Sequence, residues 1–546
     1  MRKMKKNTFV EGTIIAYISI LITKVLGAIY VIPFYKIIGP TGGVLYGYAY
    51  NIYNLFLNIS TSGIPTALSI IISEYNALKM FNEREFTFKT ANKVISIMSF
   101  IAFIIMFVFA KYLALFFIGD IEAGNSLNSV VLVIRVISMC LLIVPFLSVT
   151  RGYLQGNKYV SISSTSQLIE QVIRIFVALV GSYIAINILH FSIPIGVSIA
   201  LFGTVLSALF ALIYLKYKIH KNKDNFLKDI DKTKKLKVTE SDVIKKIIKH
   251  AFPIIIIAIT QNLYEMIDLK LLLKGLYMIG IKGSTCEIIA SIVVTWSPKI
   301  CMVINALAMG LCASIIPYIV EGYVKKDNNL MNSKFNQSIN TILLVSIPIS
   351  LFIILFKNQI YYLFYGISEY GGTILGLNSI VSIFFSITLV INMVLQGMKK
   401  YKLVYVSTIT GLVINALLDI PLILLLNSLN FYPYLGTLIA TLVGQIISML
   451  IPLTVLKNEH EFKYREILRT IKRIILPLIS MFIVIIIFRI FINFNNGYLL
   501  TLIKIGIIGI LSVGAYLIVA YKNNLLNNVL GEETINKLLR KIGLKG

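Results

Sequence analysis

The sequence predicts an all-α polytopic membrane protein with about fourteen transmembrane helices. The 546-residue chain is 57% hydrophobic and only 14% charged, with a mean hydropathy of +0.85, whereas soluble domains carry about 25% charged residues. Apolar runs of about twenty residues, long enough to cross a bilayer, recur along the whole chain. Lysine and arginine are concentrated in alternate loops between these runs. The pattern predicts a multi-pass protein of a plasma membrane.

The predicted spans follow one another with short connections. They cover residues 9–34, 44–75, 92–118, 127–150, 159–186, 193–215, 250–274, 288–320, 336–356, 373–396, 403–426, 434–456, 470–492 and 497–521. The second and eighth spans are over-long and contain glycine and proline. We therefore expect bends in them, at Gly63 and Pro65 and at Pro298, Gly310 and Pro317.

The charge pattern predicts the orientation. Lysine and arginine mark the loops of one side, so the positive-inside rule places both termini in the cytoplasm. The even number of spans agrees with this. The basic segment 1–6 precedes a long apolar run without a small-residue cleavage site, which indicates a retained span and not a signal peptide. The net charge of +27 belongs to the loops, and no basic segment has the pattern of a nucleic-acid-binding module.

A lysine-rich loop divides the chain into similar halves. We expect an N-terminal lobe (1–216), a basic cytoplasmic loop (217–249), a C-terminal lobe (250–456), two added helices (457–521) and a cytoplasmic tail (522–546). The paired motifs are Gly63-Ile-Pro-Thr-Ala with Glu74 and Gly310-Leu-Cys-Ala-Ser with Glu321, and Leu154-Gln-Gly156 and Leu395-Gln-Gly397. Both copies have the same orientation, which predicts two six-helix lobes in parallel repeat with the substrate site between them.

The fifth span carries a polar stripe. Gln167, Glu170, Gln171 and Arg174 fall at positions i, i+3, i+4 and i+7 of one helix face. An ionised side chain at the bilayer centre costs at least about 2.5 to 3.5 kcal/mol, so the stripe must face protein or a water-filled cavity. This indicates a transport pathway. The alternative is that Glu170 and Arg174, one turn apart, neutralise each other and join helices.

Further polar residues come out at a similar depth. Lys24 and Arg135 are expected near the stripe, and Lys299 would add a cation from the other lobe. Converging cations favour an anionic head group as substrate. Alternatively, Lys24 extends to the membrane surface and Lys299 lies at the outer interface. Asn51, on the tyrosine-rich second span, is expected on a wet cavity wall suited to sugar hydroxyls.

The C-terminal lobe carries two acidic residues and an amide at similar depths. Asp268, Asn415 and Asp419 offer the hard oxygen ligands that suit a small cation or proton exchange. The alternative is that Asp419 caps backbone groups freed by Pro421. We expect no other cofactor, because the chain has neither a Walker loop nor an HExxH motif. Its four cysteines lack CxxC spacing and are expected to be free thiols.

Three motifs together resemble a known family. They are Thr23-Lys24-x-x-Gly27-x-x-Tyr30-x-x-Pro33-Phe-Tyr-x-Ile-Ile-Gly39, Gly152-Tyr-Leu-Gln-Gly156 and Ser166-Gln-x-x-Glu-Gln-x-x-Arg174. The sequence resembles the MurJ-like and stage V sporulation protein B group of Gram-positive bacteria. This group belongs to the multidrug/oligosaccharidyl-lipid/polysaccharide exporter superfamily, which includes the MATE-like transporters. The resemblance runs over nearly the whole chain, and the third motif is the most specific.

The resemblance implies a two-lobed flippase with fourteen helices. Such proteins move undecaprenyl-pyrophosphate-linked sugars, chiefly lipid II, across the plasma membrane by alternating access, and their last two helices form a groove for the lipid tail. It also implies that Lys24 contacts the pyrophosphate and that Asp268, Asn415 and Asp419 match a sodium site described in some relatives. Two arginines of the family are replaced here by Tyr30 and Leu57.

The sequence thus favours a flippase and not an enzyme. A membrane glycosyltransferase needs catalytic residues on a sizeable loop, and no outer loop much exceeds about fifteen residues. A cation-coupled multidrug antiporter of the same superfamily, or a flippase for another polysaccharide unit, is the alternative. The expected partners are a lipid-linked oligosaccharide, membrane lipid and the cell-wall synthesis machinery, with Na⁺ or H⁺ as coupling ion. We expect a monomer, and both peptidoglycan and spore-cortex synthesis fit.

Overall fold

The computed structural model describes residues 19, 22–23, 25–27, 29–61, 63–119, 124–223, 236–281, 283–491, 497–532 and 535. Every regular element within these ranges is helical, so the all-α fold class is confirmed. The chain forms two compact units, Met1–Ser291 and Ile292–Gly546. The lobe boundaries expected at residues 216, 250 and 456 stay predictions.

The first unit consists of helices that follow closely on one another. They are α1 (Val31–Thr61), α2 (Ile64–Ala77), α3 (Phe81–Val108), α4 (Ala110–Ile118), α5 (Leu127–Ser138), α6 (Val144–Gly156), α7 (Val160–Phe176), α8 (Ile193–Lys221), α9 (Glu240–Met278) and α10 (Gly283–Ser291). Two π-helical turns, Val177–Gly181 and Ile184–Ile188, extend α7. The buried apolar core joins α2, α3, α6, α8 and α9, and includes Leu68, Ile95, Leu147, Leu215 and Ile247.

The second unit begins with a π-helical turn, Ile292–Trp296. Its helices are α11 (Ser297–Lys325), α12 (Asn328–Leu355), α13 (Lys357–Tyr365), α14 (Gly371–Gly397), α15 (Tyr401–Ser428), α16 (Leu435–His460), α17 (Arg465–Phe491), α18 (Tyr498–Lys522) and α19 (Leu525–Leu530). The closest helix pairs are α15 with α16 and α11 with α14, and α17 packs on α18 and α12.

Twelve helices in the described part of the chain are long and apolar enough to span a bilayer. The second predicted span and the last part of the first fall within one of these stretches, Val25–Ala77. The seventh predicted span lies in α9, which is not among the twelve and carries Glu265, Asp268 and Lys270. A multi-pass helical architecture is confirmed, and the count of fourteen stays a prediction.

The bends expected in the second and eighth spans are partly observed. Gly63 separates α1 from α2 with φ 79°, a left-handed conformation that glycine adopts without strain, and Pro65 follows in the first turn of α2. Pro298 begins α11 directly after the π-helical turn. The backbone of α11 then continues as one helix to Lys325, across Gly310 and Pro317. A further break, which the sequence did not predict, lies at Gly39 inside α1.

The repeat motifs make matching contacts in the two units. A Cβ on Gly156 of α6 would lie 2.7 Å from Ile72 Cβ of α2, and one on Gly397 of α14 would lie 3.0 Å from Ile319 of α11. Ile72 and Ile319 occupy the same place after Gly63 and Gly310 in the two copies. On Gly152, one turn earlier in α6, a Cβ would lie 2.5 Å from the Pro65 carbonyl oxygen. The glycines therefore allow the paired helices to touch at their backbones.

The outer helices of the second unit expose large apolar side chains. On α17 and α18 these include Ile475, Leu476, Ile487, Leu502 and Ile510. Contiguous apolar surface of this extent is typical of contact with lipid.

The start of α9, in the first unit, is polar. Thr239 and Asp242 form a capping box, and the hydrogen bonds from Thr239 hold the pKa of Asp242 below its usual range.

Candidate functional site

The polar stripe lies on α7, which packs against α6 and α8. A tight turn connects α6 to α7, with Lys158 in the left-handed region at φ 66°. This turn lays the two helices side by side, so that residues at similar distances before and after it face each other. Arg151 of α6 and Ser166 of α7 are such a pair, since their positions are nearly symmetric about the turn.

The end of the stripe nearer this turn is hydrogen-bonded to Arg151 of α6. Arg151 donates from Nε to Ser166 Oγ at 2.8 Å and from a terminal nitrogen to Glu170 Oε2 at 2.8 Å. The two charged side chains are mostly buried, with 14% and 20% of the Arg151 and Glu170 side chains exposed. The ion-pair partner of Glu170 is therefore Arg151. It is not Arg174, the partner that the one-turn spacing in the sequence suggested.

The deeper end of the stripe is only partly hydrogen-bonded. Arg174 donates one hydrogen bond to Gln171 Oε1. Its Nε atom and the Nε2 atom of Gln171 are buried and have no hydrogen-bond partner among the residues that the structure describes. A Cβ on Gly27 would lie 3.4 Å from this Nε2 atom, so the backbone of the first predicted span reaches the site. Both unpartnered atoms are hydrogen-bond donors, so a group that fills the site must accept.

Three tyrosines stand beside Arg174, and we call them the tyrosine cluster: Tyr30, Tyr46 and Tyr50, each of which interacts electrostatically with the guanidinium. The hydroxyls of Tyr30 and Tyr46 lie 3.1 Å apart, and the rings of Tyr46 and Tyr50 have centroids 4.5 Å apart. The Tyr50 hydroxyl lies 3.0 Å from Thr204 Oγ1 of α8. The contact between Tyr50 and Thr204 thus connects α1 with α8, and the cluster adds polar hydroxyls near the Arg174 cation.

The other residues predicted for the substrate site lie on different helices. Gln167 is half-buried on α7, and Asn51 is buried on α1. Arg135 is exposed on α5, and its guanidinium carbon lies 5.3 Å from the ring centroid of Phe107; no contact with the stripe is found among its described contacts. Lys24 lies outside the described residues. All these assignments stay predictions.

Lys299 belongs to the second unit. Its Nζ atom lies 4.2 Å from the ring centroid of Trp296, a fully buried side chain. This is a favourable cation–π distance. Whether Lys299 contacts substrate stays a prediction.

The residues of the predicted cation site divide between the units. Asp268 is buried on α9 of the first unit and interacts electrostatically with Glu265. Asn415 and Asp419 lie one turn apart on α15 of the second unit, and both are fully buried at 0% exposure. Within the described ranges, no three histidine, cysteine or acidic side chains converge as metal ligands. The paired amide and carboxylate fit a small hard cation by their chemistry, and the site stays a prediction.

Sequence reasoning missed two buried polar residues. Arg151 follows the fourth predicted span and was not included in the predicted site, although the turn after Gly156 places it opposite Ser166. Glu287 of α10 accepts hydrogen bonds from the Asn125 backbone at 3.0 Å, from Asn125 Nδ2 at 2.8 Å and from the Tyr48 hydroxyl at 3.2 Å. The sequence signal that could have identified Glu287 is a single acidic residue at the start of an apolar run.

The helical spans and the buried, partly unpartnered polar stripe define a polytopic membrane protein of the transporter type. Two family models match the chain. The polysaccharide biosynthesis protein model matches residues 9–322, and the MatE model matches residues 253–420. The chain belongs to the polysaccharide biosynthesis protein family.

Curated relatives agree with this family. The chain is 30% identical to the lipid II flippase MurJ of Bacillus subtilis (strain 168) over 535 residues, which are 96% of this chain and 97% of the relative. It is 27% identical to stage V sporulation protein B of the same organism over 223 residues, 39% of this chain and 40% of that one. The predicted relationship to the MurJ-like and stage V sporulation protein B group is confirmed.

A solved structure shows the same fold. The lipid II flippase MurJ in an inward closed conformation matches with a TM-score of 0.65 and 16% identity, over 95% of this chain and 99% of that one. The chain is therefore a multi-pass integral membrane protein, and its relatives are transporters and not enzymes, in agreement with the sequence prediction.

Proposed function

We propose that this protein is a flippase for a lipid-linked oligosaccharide that carries a pyrophosphate, with lipid II as its substrate. Arg174 and Gln171 bind the pyrophosphate together with Lys24, and the tyrosine cluster and Asn51 contact the sugar. The protein moves this head group across a bacterial plasma membrane by alternating access, with both termini in the cytoplasm. It acts as a monomer that supplies cell-wall synthesis.

One observation carries this proposal. The buried Nε of Arg174 and Nε2 of Gln171 have no partner among the described residues, and both are donors. A buried donor without a partner costs about 1 to 3 kcal/mol. A phosphate oxygen satisfies such donors, and a guanidinium binds phosphate with two parallel hydrogen bonds. Binding of a pyrophosphate therefore removes the free-energy cost of these two unpartnered donors.

The relatives support the choice of substrate. The Bacillus subtilis protein that aligns with 96% of this chain is named a lipid II flippase. The alignment includes the motif that ends at Arg174, which lies within the polysaccharide biosynthesis protein match. Stage V sporulation protein B is also similar, so the same transport step in spore-cortex synthesis fits.

We further propose that Na⁺ or H⁺ drives the return to the inward-open state. Asp268, Asn415 and Asp419 are the candidate ligands, and the burial of Asn415 and Asp419 supports this for the second unit. Moving one charge across the membrane potential is worth about 2.3 kcal/mol per 100 mV, enough to bias such a step. Asp419→Asn keeps the shape and removes the charge. We expect it to abolish the sodium or pH response of transport, and an unchanged response would remove the coupling.

A cation-coupled multidrug antiporter is the second candidate. The match of the MatE model to residues 253–420 favours it, because that region contains Asn415 and Asp419. Such a transporter needs an acidic, aromatic pocket for its cationic substrates. The first unit instead places Arg174 in the tyrosine cluster, with Glu170 held by Arg151. This arrangement favours an anionic substrate.

The test is lipid II exposure in cells depleted of their own flippase and expressing this protein. An added probe of the head group reports lipid II in the outer leaflet. We expect the wild type to restore exposure, and Lys24→Ala and Arg174→Ala to lose it at normal membrane levels. Arg469→Ala is the matched control, because this exposed arginine pairs with Glu466 on the surface of α17.

The outcomes separate the two candidates. Exposure lost in both site variants and kept in the control supports the flippase and its site. No exposure with the wild type, together with extrusion of a cationic dye, would overturn the flippase in favour of the antiporter. Normal exposure with Arg174→Ala would mean that the stripe is structural.

A further inference from the structure

A cavity of about 530 Å³ lies in the first unit, away from the stripe. It opens between α3, α6 and α8, at the end of α8 from which the lysine-rich segment continues. The charge pattern predicts that this end faces the cytoplasm. Its lining is Glu85, Phe88, Asn92, Phe146, Thr150, Tyr153, Lys216, Ile219, His220 and Lys223.

The charged groups of the cavity are predominantly basic. Lys216, His220 and Lys223 line it from α8 and the residues just beyond, and all three side chains are exposed. Glu85 is the acid of the lining, and it is already engaged: it forms an ion pair with Arg84 at 3.0 Å and accepts a hydrogen bond from the Tyr153 hydroxyl. Among the described residues of the lining, no acid is left to neutralise the lysines, so the cavity attracts an anion.

The interior of the cavity is apolar. Phe88 and Tyr153 stack with ring centroids 4.1 Å apart, and Phe146 and Ile219 complete this surface. A free phosphate ion or a soluble sugar phosphate leaves such a surface exposed to water. An amphiphile covers it, with the acyl and glycerol part on the rings and the phosphate at the lysines. The combination of basic rim and apolar interior therefore matches a lipid.

We propose that this cavity binds the head group of an anionic phospholipid from the cytoplasmic leaflet, at a site separate from the transport site. The phosphate lies between Lys216 and Lys223, and His220 donates a hydrogen bond to it. The glycerol and first acyl carbons contact Phe88, Phe146 and Ile219. The lipid joins α3, α6 and α8, of which α6 and α8 border α7.

The test measures phospholipid retained by the full-length protein. The protein is purified in detergent with equal amounts of phosphatidylglycerol and phosphatidylcholine, and bound lipid is counted by native mass spectrometry. We expect saturable binding of phosphatidylglycerol. The pair Lys216→Gln and Lys223→Gln should weaken it roughly thirtyfold, since each basic residue beside anionic lipid contributes separately.

The same helix offers a matched control. Lys218 and Lys221 lie over the rings of Tyr214 and Tyr217, with Nζ 5.6 Å and 5.7 Å from the ring centroids, and are not part of the lining. The pair Lys218→Gln and Lys221→Gln removes the same charge from the same segment. We expect it to leave phosphatidylglycerol binding within about twofold of wild type.

Three outcomes would overturn the proposal. An equal loss in both lysine pairs would mean general attraction of the basic surface to lipid. Equal retention of phosphatidylcholine would mean that the phosphate charge is not recognised. Displacement of phosphatidylglycerol by millimolar glycerol phosphate would mean that a soluble phosphate compound is the ligand. The readout is binding, so failure of the flippase proposal would not affect it.

Discussion

The two ends of the polar stripe on α7 differ in how their hydrogen bonds are satisfied. Near the α6–α7 turn, Arg151 donates hydrogen bonds to Ser166 and to Glu170, each at 2.8 Å. Deeper along the helix, Arg174 and Gln171 each retain a buried donor without a described partner. The same helix face therefore contains one self-sufficient group and one that needs a ligand. Mere presence of charge inside a membrane protein does not distinguish these roles, whereas hydrogen-bond accounting does.

The largest effect is expected where the donors lack partners. Arg174→Met should abolish lipid II exposure and leave the thermal stability of the purified protein equal to or above that of wild type. The physical reason is that Arg174 has one described hydrogen bond, to Gln171, and an apolar side chain of similar length removes the desolvation cost of its unpartnered Nε donor. Fluorescence-monitored unfolding and the exposure assay check both parts. A variant that loses stability and keeps transport would reverse the assignment.

The self-sufficient end should respond in the opposite way. Arg151→Ala leaves the mostly buried Glu170 and Ser166 without their partner, so we expect about 1 to 3 kcal/mol of destabilisation and transport that falls only with the amount of folded protein. The double substitution Arg151→Glu with Glu170→Arg restores the opposite charges. It should recover part of the lost stability. Unchanged stability of Arg151→Ala would contradict the structural role.

The smallest effect is expected in the tyrosine cluster. Tyr46→Phe removes one hydroxyl from the pair with Tyr30, at 3.1 Å, and keeps the ring. We expect transport to fall roughly three- to tenfold, the value of one neutral hydrogen bond of about 1 kcal/mol. Tyr30→Phe should have a similar effect, and the double variant should lose less than the product because the hydroxyls share one bond. Strictly multiplicative losses would mean independent contacts with substrate.

The sequence predicted much of the fold because its signals are local. Apolar length predicts spans, and the glycine motifs predicted a repeat that the Gly156–Ile72 and Gly397–Ile319 contacts reproduce. The periodicity of α7 likewise placed four polar residues on one face. Partner choice is not local, and so Arg151 was missed as the partner of Glu170. Span depth alone put Arg135 near the stripe; its guanidinium lies beside Phe107, and its contact with substrate stays a prediction.

The contact of Gly152 with the Pro65 carbonyl has a mechanical consequence. Where side chains separate two helices, rotamer changes absorb small sliding motions. Where backbones touch, no such slack exists. Helices α2 and α6 therefore form one rigid pair. Any rotation of this pair must be accommodated at the ends of the two helices. Gly63, at the start of α2, is free of the Cβ that would resist such rotation. The ion pair between Arg151 and Glu170 joins this rigid pair of helices to α7, the helix that carries the polar stripe.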